Sequence, residues 1–310
     1  MKNSVKQHVS ALAAVLACLA LALVLYHSLA GGTLLQSSPY NSYALQAENW
    51  LAGRNYIANG ENYTWLELAI YQGRYYQSFP PVPAVLMLPF VAAAGEWSAI
   101  PGNLIAMGLA LLCAGGAYAC CMRGGMRPVT CAFFTLFVSM GSNVFWMSTS
   151  DGVWFLAQVC ALGFAFWGLF FAQGGNAVQD AAASFCIALA VGCRPFYALL
   201  LACWLGWQFY QRRSLKRILP ALLPAIVAAV CMMAYNFARF GSVTEFGHNY
   251  LPEFVRAENG QFSLTYLVPN LLQLLRPVTL DAQGQLHFEI YNGFLFFAAN
   301  PLLLLAMVRG

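Results

Sequence analysis

Two carboxylates lie in an aromatic-rich stretch between the first two long apolar segments of this 310-residue chain. Glu48 occurs in QAENWLAGR, and Glu67 occurs in TWLELAIYQGRYYQSFPP. Apolar residues at helical spacing predict that segments 43–52 and 64–71 are amphipathic helices on a membrane surface. A carboxylate at that level is partly desolvated, which raises its pKa and its basicity. Glu67, ahead of Glu48, is therefore a candidate general base, and the alternative for each is a solvated position on a helix face.

One arginine interrupts a long apolar run. Arg194 occurs in AVGCRPFYALL, where a charge inside a bilayer costs roughly 2.5 to 3.5 kcal/mol unless it has a partner. Pro195 allows the chain to turn, so Arg194 is predicted near the external end of two short helices. Its guanidinium group is suited to bidentate binding of a headgroup-region phosphate. The alternative is an interfacial arginine that reaches water or pairs with Asp151.

A second polar cluster follows the apolar segment near residues 218–238, in AYNFARFGSVTEFGHNY. Its polar groups leave a helix end and enter a glycine-containing turn, which indicates a site. The alternative is an aromatic and basic belt at the membrane interface. The polar residues are Tyr235, Asn236, Arg239, Glu245 and His248. His248 and the later His287 have no ligand spacing, so they do not indicate a metal site.

The composition places these residues in a membrane protein. Hydrophobic residues make up 60% of the chain and charged residues 8%, whereas a soluble domain carries roughly 25% charge. The net charge of +4 does not indicate nucleic-acid binding, because the basic residues are scattered over loop ends. The ten cysteines lie in or next to apolar runs without a CxxC pair, which predicts reduced packing residues. The lipid bilayer is the predicted surrounding.

The apolar segments predict an all-α, polytopic transmembrane bundle of about eight spans in a single domain over residues 1–310. The predicted spans are near residues 9–30, 101–121, 129–147, 152–172, 181–193, 196–210, 218–238 and 292–308. The basic clusters between them are Lys2 with Lys6, Arg123 with Arg127, the group Arg212, Arg213, Lys216 and Arg217, and Arg309. By the positive-inside rule these clusters face the cytoplasm, as does the amino terminus.

This topology leaves two long external loops, about 31–100 and about 240–290, and it places the acidic residues outside, Asp180 excepted. The segment Val82–Ala94 is too short for a span and contains two prolines, so it is predicted to be interfacial or re-entrant. In an alternative topology, Val82–Ala94 crosses the membrane and residues 181–193 and 196–210 form one span, so the number of spans is unchanged. That topology would place Arg123 and Arg127 outside. The first count is therefore preferred.

Several stretches, in their order along the chain, resemble one family. They are GRYYQSFPPVPAVLMLPF, SMGSNVFWMSTSDGVWFLAQ, LAVGCRPF and YNFARFGSVTEFGHNY. Over about residues 38–305 the chain resembles the GT-C superfamily of integral membrane glycosyltransferases, in particular the family 39-like branch related to protein O-mannosyltransferases and lipid A aminoarabinose transferases. The resemblance implies transfer of a hexosyl or pentosyl group from a polyprenyl-phosphate-linked donor to a hydroxyl of a glycan, lipid or protein, at the external face of the cytoplasmic membrane.

The resemblance also implies roles for particular residues. A carboxylate of the first loop, Glu67 ahead of Glu48, activates the acceptor hydroxyl. Basic residues hold the donor phosphate in that family, and the substrate-binding residues predicted here are Arg194, Arg239, Tyr75, Tyr76, Asp151, Glu245 and His248. Among these, the arginines hold the donor phosphate and the tyrosines line the sugar pocket. No cofactor is implied with certainty, and the need for a divalent cation is left open.

The chain departs from this family at two places. Asn41 occupies the position shortly after the first helix where relatives carry an aspartate, and an amide cannot accept the proton. The chain also stops within a predicted helix, in NPLLLLAMVRG, where relatives continue, so a truncated product or a fragment is expected. Two other functions therefore stay open. One is a non-catalytic scaffold that binds polyprenyl phosphate, and the other is a transporter, which would show paired broken helices in repeated halves.

Overall fold

The computed structural model describes residues 2–212, 215–255, 258–259 and 263–287, and these residues are mostly helical. Two compact units are separated along the chain, Met1–Leu251 and Pro252–Gly310. All the residues of the candidate site lie in the first unit. The single domain predicted over residues 1–310 stays a prediction.

The helices of the first unit follow one another with short connections, apart from the long stretch between the first and fourth. They are α1 Lys2–Leu29, α2 Ser42–Leu51, α3 Val82–Ala94, α4 Gly102–Arg123, α5 Pro128–Met140, α6 Val144–Met147, α7 Val153–Ala172, α8 Ala177–Val191, α9 Ala198–Arg212 and α10 Leu215–Phe240. Strands β1 Leu68–Tyr71 and β2 Arg74–Gln77 form an antiparallel hairpin between α2 and α3. Short 3₁₀ turns lie at Thr33–Leu35, Gly60–Asn62, Trp97–Ala99, Pro195–Tyr197 and His248–Tyr250.

Four helical segments of the described chain are long and apolar enough to cross a membrane. They are Val5–Leu29, Gly102–Arg123, Val153–Ala172 and Ile218–Phe240. Val82–Ala94, Pro128–Met140 and Ala177–Val191 are shorter apolar helices. The protein therefore has the character of a helical membrane protein, as the composition predicts, and the count of about eight spans stays a prediction. The predicted span at 292–308 and the basic residues Arg213 and Arg309 lie outside the described residues.

The bundle is held by helix contacts through small residues. α7 packs between α4 and α8, α8 packs on α10, and α1 lies against α4 and α5. A Cβ on Gly168 of α7 would lie 2.6 Å from Ile187 Cγ1 on α8. A Cβ on Gly116 of α4 would lie 3.0 Å from Trp167 Nε1 on α7. Glycine at these crossings thus permits the close backbone approach that membrane helices use in place of a hydrophobic driving force.

The stretch between α1 and α4 differs from the prediction of two surface helices. Segment 43–52 is helical as predicted, and seven of the ten residues of α2 are buried because α2 packs on α3, while its position at a membrane surface stays a prediction. Segment 64–71 is not a helix, because its second half forms β1. Gln72 and Gly73, with φ of 49° and 73°, join β1 to β2. A two-residue turn with both φ values positive matches the twist of a hairpin, and it favours strands on either side.

Helix α3 begins and ends within this same stretch of chain. The Val82 N–H donates to the Gly192 carbonyl just beyond α8 at 3.0 Å, and Gly95 ends the helix with φ 81°. Thirteen residues rise only about 20 Å, less than the roughly 30 Å of a bilayer core. The length agrees with the prediction that Val82–Ala94 is not a full span.

The second unit is small in its described part. It contains the short helix Pro252–Val255, which is α11, and α12 Leu267–Leu274. Strands β3 Thr279–Leu280 and β4 Leu286–His287 pair as an antiparallel hairpin. None of the candidate site residues predicted from the sequence lies in this unit.

Candidate functional site

Arg194 lies in the connection between α8 and α9, where an extended backbone and Pro195 redirect the chain. Its Nη2 donates to the carbonyl of Trp154 at 2.8 Å, and its guanidinium carbon lies 5.6 Å from the centre of the Phe79 ring. The Nε atom is buried without a hydrogen-bond partner in the described chain. Arg194 therefore lies at the ends of two helices as predicted, but it binds a backbone carbonyl instead of Asp151.

Arg239 lies in the last turn of α10 and is 4% exposed. Its Nη1 donates to the Gln77 carbonyl at 2.6 Å, and its Nη2 donates to Asn236 Oδ1 at 3.1 Å. The guanidinium carbon stacks 3.9 Å from the ring centre of Tyr235 and 4.6 Å from that of Phe240. The Nε of Arg239 is also buried without a partner among the described residues. Neutral groups thus fix the side chain and leave one charged donor unused.

Further polar atoms around the two arginines are buried without a hydrogen-bond partner in the described chain. They are the hydroxyls of Tyr43 and Tyr235, and Gln77 Oε1. Tyr43 is close enough to Arg194 and Tyr235 to interact with both electrostatically. Leaving a buried polar group unpaired costs about 1–3 kcal/mol, so such a concentration is typical of a place completed by a ligand or by ordered water.

We call Tyr43, Gln77, Arg194, Tyr235 and Arg239 the two-arginine cluster. Burial raises the pKa of Tyr43 well above its usual value, and the nearby Arg194 acts in the opposite direction. The Tyr43 phenol therefore keeps its proton at neutral pH and can donate a hydrogen bond. Two guanidinium groups and two phenols make the cluster a set of donors suited to an anion.

Glu67 lies beside the two-arginine cluster, at the residue before β1. The indole Nε1 of Trp154 donates to Glu67 Oε2 at 3.2 Å, while the carbonyl of the same tryptophan accepts from Arg194. The ring of Phe79 lies among the neighbouring side chains, 6.5 Å from the Tyr43 ring. One carboxylate and one guanidinium are thus positioned by the first turn of α7.

His248 enters the site from the turn after α10. Glu245 shapes that turn, because its Oε1 accepts from the Gly247 N–H at 2.7 Å and its Oε2 accepts from Asn249 Nδ2 at 2.8 Å. Gly247 has φ 103°, a conformation that favours glycine. The His248 ring then lies 5.9 Å from the Phe79 ring. Glu245 therefore positions the turn, and His248 lies beside an aromatic ring that Arg194 also contacts.

The two tyrosines predicted to line one pocket lie differently in β2. Tyr76 is 4% exposed, and its ring lies 5.2 Å from that of Phe240, next to Arg239. Tyr75 packs with Leu45 and Ile57 in a separate apolar cluster. Successive residues of a strand point to opposite faces, so only Tyr76 is on the side of the two-arginine cluster.

Glu48 and Asp151 lie in structural networks away from the cluster. Glu48 Oε2 accepts from the backbone N–H of Trp97 at 2.7 Å and so holds the turn before α4. Asp151 is fully buried and accepts from the Ser37 hydroxyl and the Asn41 side-chain amide at 2.6 Å each. Both carboxylates therefore connect segments that are distant in sequence.

Burial raises the pKa of Asp151 above its usual value, although these hydrogen bonds and one from the Ser38 N–H act to lower it. Asn41 has a second bond, since its Oδ1 accepts from the Ala44 N–H and caps α2. The family resemblance implies a catalytic aspartate at this position. Here the amide nitrogen of Asn41 donates a hydrogen bond and the amide oxygen accepts one. Asp151 and Asn41 together attach the start of the inter-helix stretch to the α6–α7 connection.

An apolar groove of about 590 Å³ runs between α3, α8 and α10. Val85, Leu189 and Val227 line its walls. Trp50 and Tyr235, whose rings pack edge to face at 5.7 Å, line it as well. Tyr235 also contributes a hydroxyl to the two-arginine cluster, so the groove and the cluster meet at this residue.

Several members of the site are absent from the residues predicted to bind substrate, namely Tyr43, Gln77, Phe79 and Trp154. Tyr43 lies on α2. The other three come from β2, the segment after it and the first turn of α7. No spacing pattern in one segment could have joined them, because the contacts are long-range.

The described residues contain no group of three or more His, Cys, Asp or Glu side chains arranged to hold a metal ion. Comparison of the chain with protein-family models, with characterised proteins and with solved structures found no match.

Proposed function

We propose that the protein is a membrane glycosyltransferase that moves a sugar from a polyprenyl-phosphate-linked donor to an acceptor hydroxyl at the external face of the cytoplasmic membrane. The observation that carries the proposal is the junction, at Tyr235, of an apolar groove with the two-arginine cluster, whose unpartnered polar atoms are buried. The donor consists of an apolar chain joined to an anionic phosphate. The chain matches the groove, and the phosphate matches the adjoining cluster.

The lipid end of the donor fits the groove between α3, α8 and α10. Its wall residues are almost entirely aliphatic or aromatic, and burying an apolar chain there contributes about 25 cal/mol for each Å² removed from water. Part of the groove wall on α10 is exposed, since Val227 is 53% exposed. A membrane lipid can therefore enter it sideways from the bilayer.

The phosphate fits the two-arginine cluster. Arg194 and Arg239 each have a buried Nε that lacks a partner in the described chain, and the Tyr43 hydroxyl is a third such donor. Charge-assisted hydrogen bonds from guanidinium groups to phosphate are about twice as strong as neutral ones. They gain further in the transition state, when the bond between the sugar and the phosphate breaks and negative charge collects on the departing phosphate.

Glu67 is the proposed general base. Its carboxylate is held by the Trp154 indole, and the same tryptophan binds Arg194 through its carbonyl. In the proposed step the acceptor hydroxyl transfers its proton to Glu67 while its oxygen bonds to the anomeric carbon of the sugar. The bond from that carbon to the phosphate oxygen breaks, and polyprenyl phosphate leaves with the electron pair.

The test measures release of polyprenyl phosphate by the purified chain, supplied with a panel of polyprenyl-phosphate sugars and acceptors. Glu67→Gln should lower release by about 10²- to 10⁴-fold, as expected when a general base is removed. Glu61→Gln is the matched control, because Glu61 is an exposed carboxylate in the same stretch of chain. Undiminished release by both Glu67→Gln and Glu48→Gln would rule out this assignment of the base.

One observation favours a second function, that of a non-catalytic scaffold binding polyprenyl phosphate. Asn41 caps α2 and donates to Asp151, whereas the resemblance implies an acid there. Lipid-phosphate binding needs only the groove and the two arginines. In the scaffold case polyprenyl phosphate binds, binding weakens in Arg194→Ala, and no donor sugar is turned over.

A further inference from the structure

A second cavity lies far along the bundle from the two-arginine cluster. It is open, has a volume of about 1210 Å³, and is formed where α1 begins, α4 ends and α5 begins. Helix α4 runs from Gly102, beside Asp151, to Arg123, next to the cavity. Its 22 residues correspond to about 33 Å, so the cavity lies at the opposite end of α4 from Asp151 and the α6–α7 connection that precedes Trp154.

The polar lining of this cavity is basic. Lys6 of α1 and Arg127, just before α5, carry its charges, and both side chains are exposed. Within the described chain the cavity lining includes no acidic residue. Gln7, Ser10 and Thr130 add uncharged hydrogen-bonding groups. The cavity is therefore complementary to a negatively charged group with several oxygen acceptors.

The helices that form the cavity are braced against each other. His8 Nδ1 and the Tyr118 hydroxyl are hydrogen-bonded at 3.1 Å, which connects α1 to α4. The two rings also pack edge to face with centres 6.0 Å apart. The cavity is thus set between helices in contact, and its two cations come from different helical segments.

Apolar side chains that line the basic cavity, or lie within one helical turn of its lining residues, are exposed. Val9 on α1 is 62% exposed, while on α5 Val129 is 80% exposed and Phe133 is 59% exposed. Exposed apolar residues beside a basic cavity suit acyl chains beside a phosphate. A free phosphate ion would gain nothing from them.

We propose that this cavity binds the phosphate headgroup of an anionic membrane phospholipid, with the acyl chains along the apolar faces of α1 and α5. Basic pockets between membrane helices are known to bind such headgroups, and each basic residue near an anionic surface contributes about five- to sixfold in affinity. The proposal does not depend on the proposed transferase function, because no residue of the cavity belongs to the two-arginine cluster.

The experiment titrates the delipidated full chain in zwitterionic detergent with phosphatidylglycerol, with phosphatidylcholine and with inorganic phosphate, and follows binding and the unfolding midpoint. Phosphatidylglycerol should bind and raise the midpoint, and phosphatidylcholine should not. The Lys6→Gln, Arg127→Gln double variant should bind phosphatidylglycerol about thirtyfold more weakly. Arg74→Gln, an exposed arginine stacked on Tyr56 at another place, should bind it normally.

The remaining outcomes overturn the proposal. They are equal binding of phosphatidylcholine, full competition by inorganic phosphate at matched concentration, and unchanged affinity in the double variant. Both substituted side chains are exposed, so the variant is expected to fold, and its lipid-free unfolding midpoint checks this. Added salt supplies a second measurement on the unaltered chain, because screening should weaken phosphatidylglycerol binding if charge carries it.

Discussion

Glu67 and Arg194 are held by opposite ends of one residue, Trp154. The indole N–H donates to the Glu67 carboxylate at 3.2 Å, and the carbonyl accepts from the Arg194 guanidinium at 2.8 Å. The proposed base and one of the proposed phosphate ligands are therefore positioned by the same turn of α7. A small displacement of that turn would move both groups.

Trp154→Phe should separate catalysis from binding. The substitution removes the N–H donor to Glu67 but retains the backbone carbonyl that binds Arg194. A hydrogen bond to a charged group contributes about 1.5–3 kcal/mol, so sugar transfer should fall by at least about tenfold while the affinity for polyprenyl phosphate stays the same. Donor turnover and lipid-phosphate binding are measured side by side, with Trp146→Phe, an exposed tryptophan, as control. Loss of binding with normal turnover would contradict the prediction.

Asp151 should make the stability of the protein depend on pH. Burial raises its pKa in the folded protein above the usual 3.8. Between these two values the folded state binds more protons than the unfolded state, so the contribution of Asp151 is fully present below the usual pKa and is lost as pH rises through the raised pKa. The unfolding midpoint of the unaltered chain minus that of Asp151→Asn should therefore be larger at about pH 4 than at about pH 7. Thermal unfolding in a pH-insensitive detergent measures this, and a difference that grows toward neutral pH would contradict the sign.

Much of the helical framework could be predicted from the sequence, which contains long apolar runs bounded by glycine, proline and charges. In a membrane such a run forms a helix because its backbone N–H and C=O groups must pair within the segment. The predicted spans at 101–121 and 152–172 agree with α4 and α7 within two residues at each end. The hairpin at β1 and β2 was missed for a local reason. Its apolar residues also fit helical spacing, and the turn at Gln72 and Gly73 decides between the two.

The site could be predicted only in part, because rare charged residues are visible in the sequence and long-range contacts are not. Arg194, Arg239 and Glu67 stand out because charges are rare in this chain, and the structure brings them together through Trp154, Phe79 and β2. Asp151 stands out equally, yet it lies in a closed hydrogen-bond network. What distinguishes it is the presence of Ser37 and Asn41 more than 100 positions earlier in the chain, a contact that no local pattern contains.

Gly102→Ala should destabilise the protein, whereas Gly108→Ala in the same helix should not. A Cβ on Gly102 would overlap the Asp151 carboxylate and approach Ser37 Oγ at 2.8 Å, and neither group can move without breaking their shared hydrogen bond. Nothing lies within 4 Å of a Cβ on Gly108. Overpacking costs typically about 1–3 kcal/mol, while alanine in a helix gains up to about 1 kcal/mol over glycine. Unfolding midpoints of the two variants give the comparison, and equal midpoints would show that Asp151 is not rigidly held at this place.

Val227→Trp should block the apolar groove and weaken lipid-phosphate binding without touching the two-arginine cluster. Val227 lines the groove of about 590 Å³ on α10, and an indole there would narrow it at this wall. Leu219→Trp is the matched control, because Leu219 lies on the same helix, is 56% exposed and does not line the groove. Binding of a long-chain polyprenyl phosphate should fall about tenfold in the first variant and stay unchanged in the second, since losing about 55 Å² of apolar burial already costs about 1.4 kcal/mol. A short-chain analogue separates the contributions, because its phosphate reaches Arg194 and Arg239 without filling the groove, so both variants should bind it equally. If Val227→Trp binds the long chain normally, the donor lipid lies elsewhere and the groove between α3, α8 and α10 has no part in holding it.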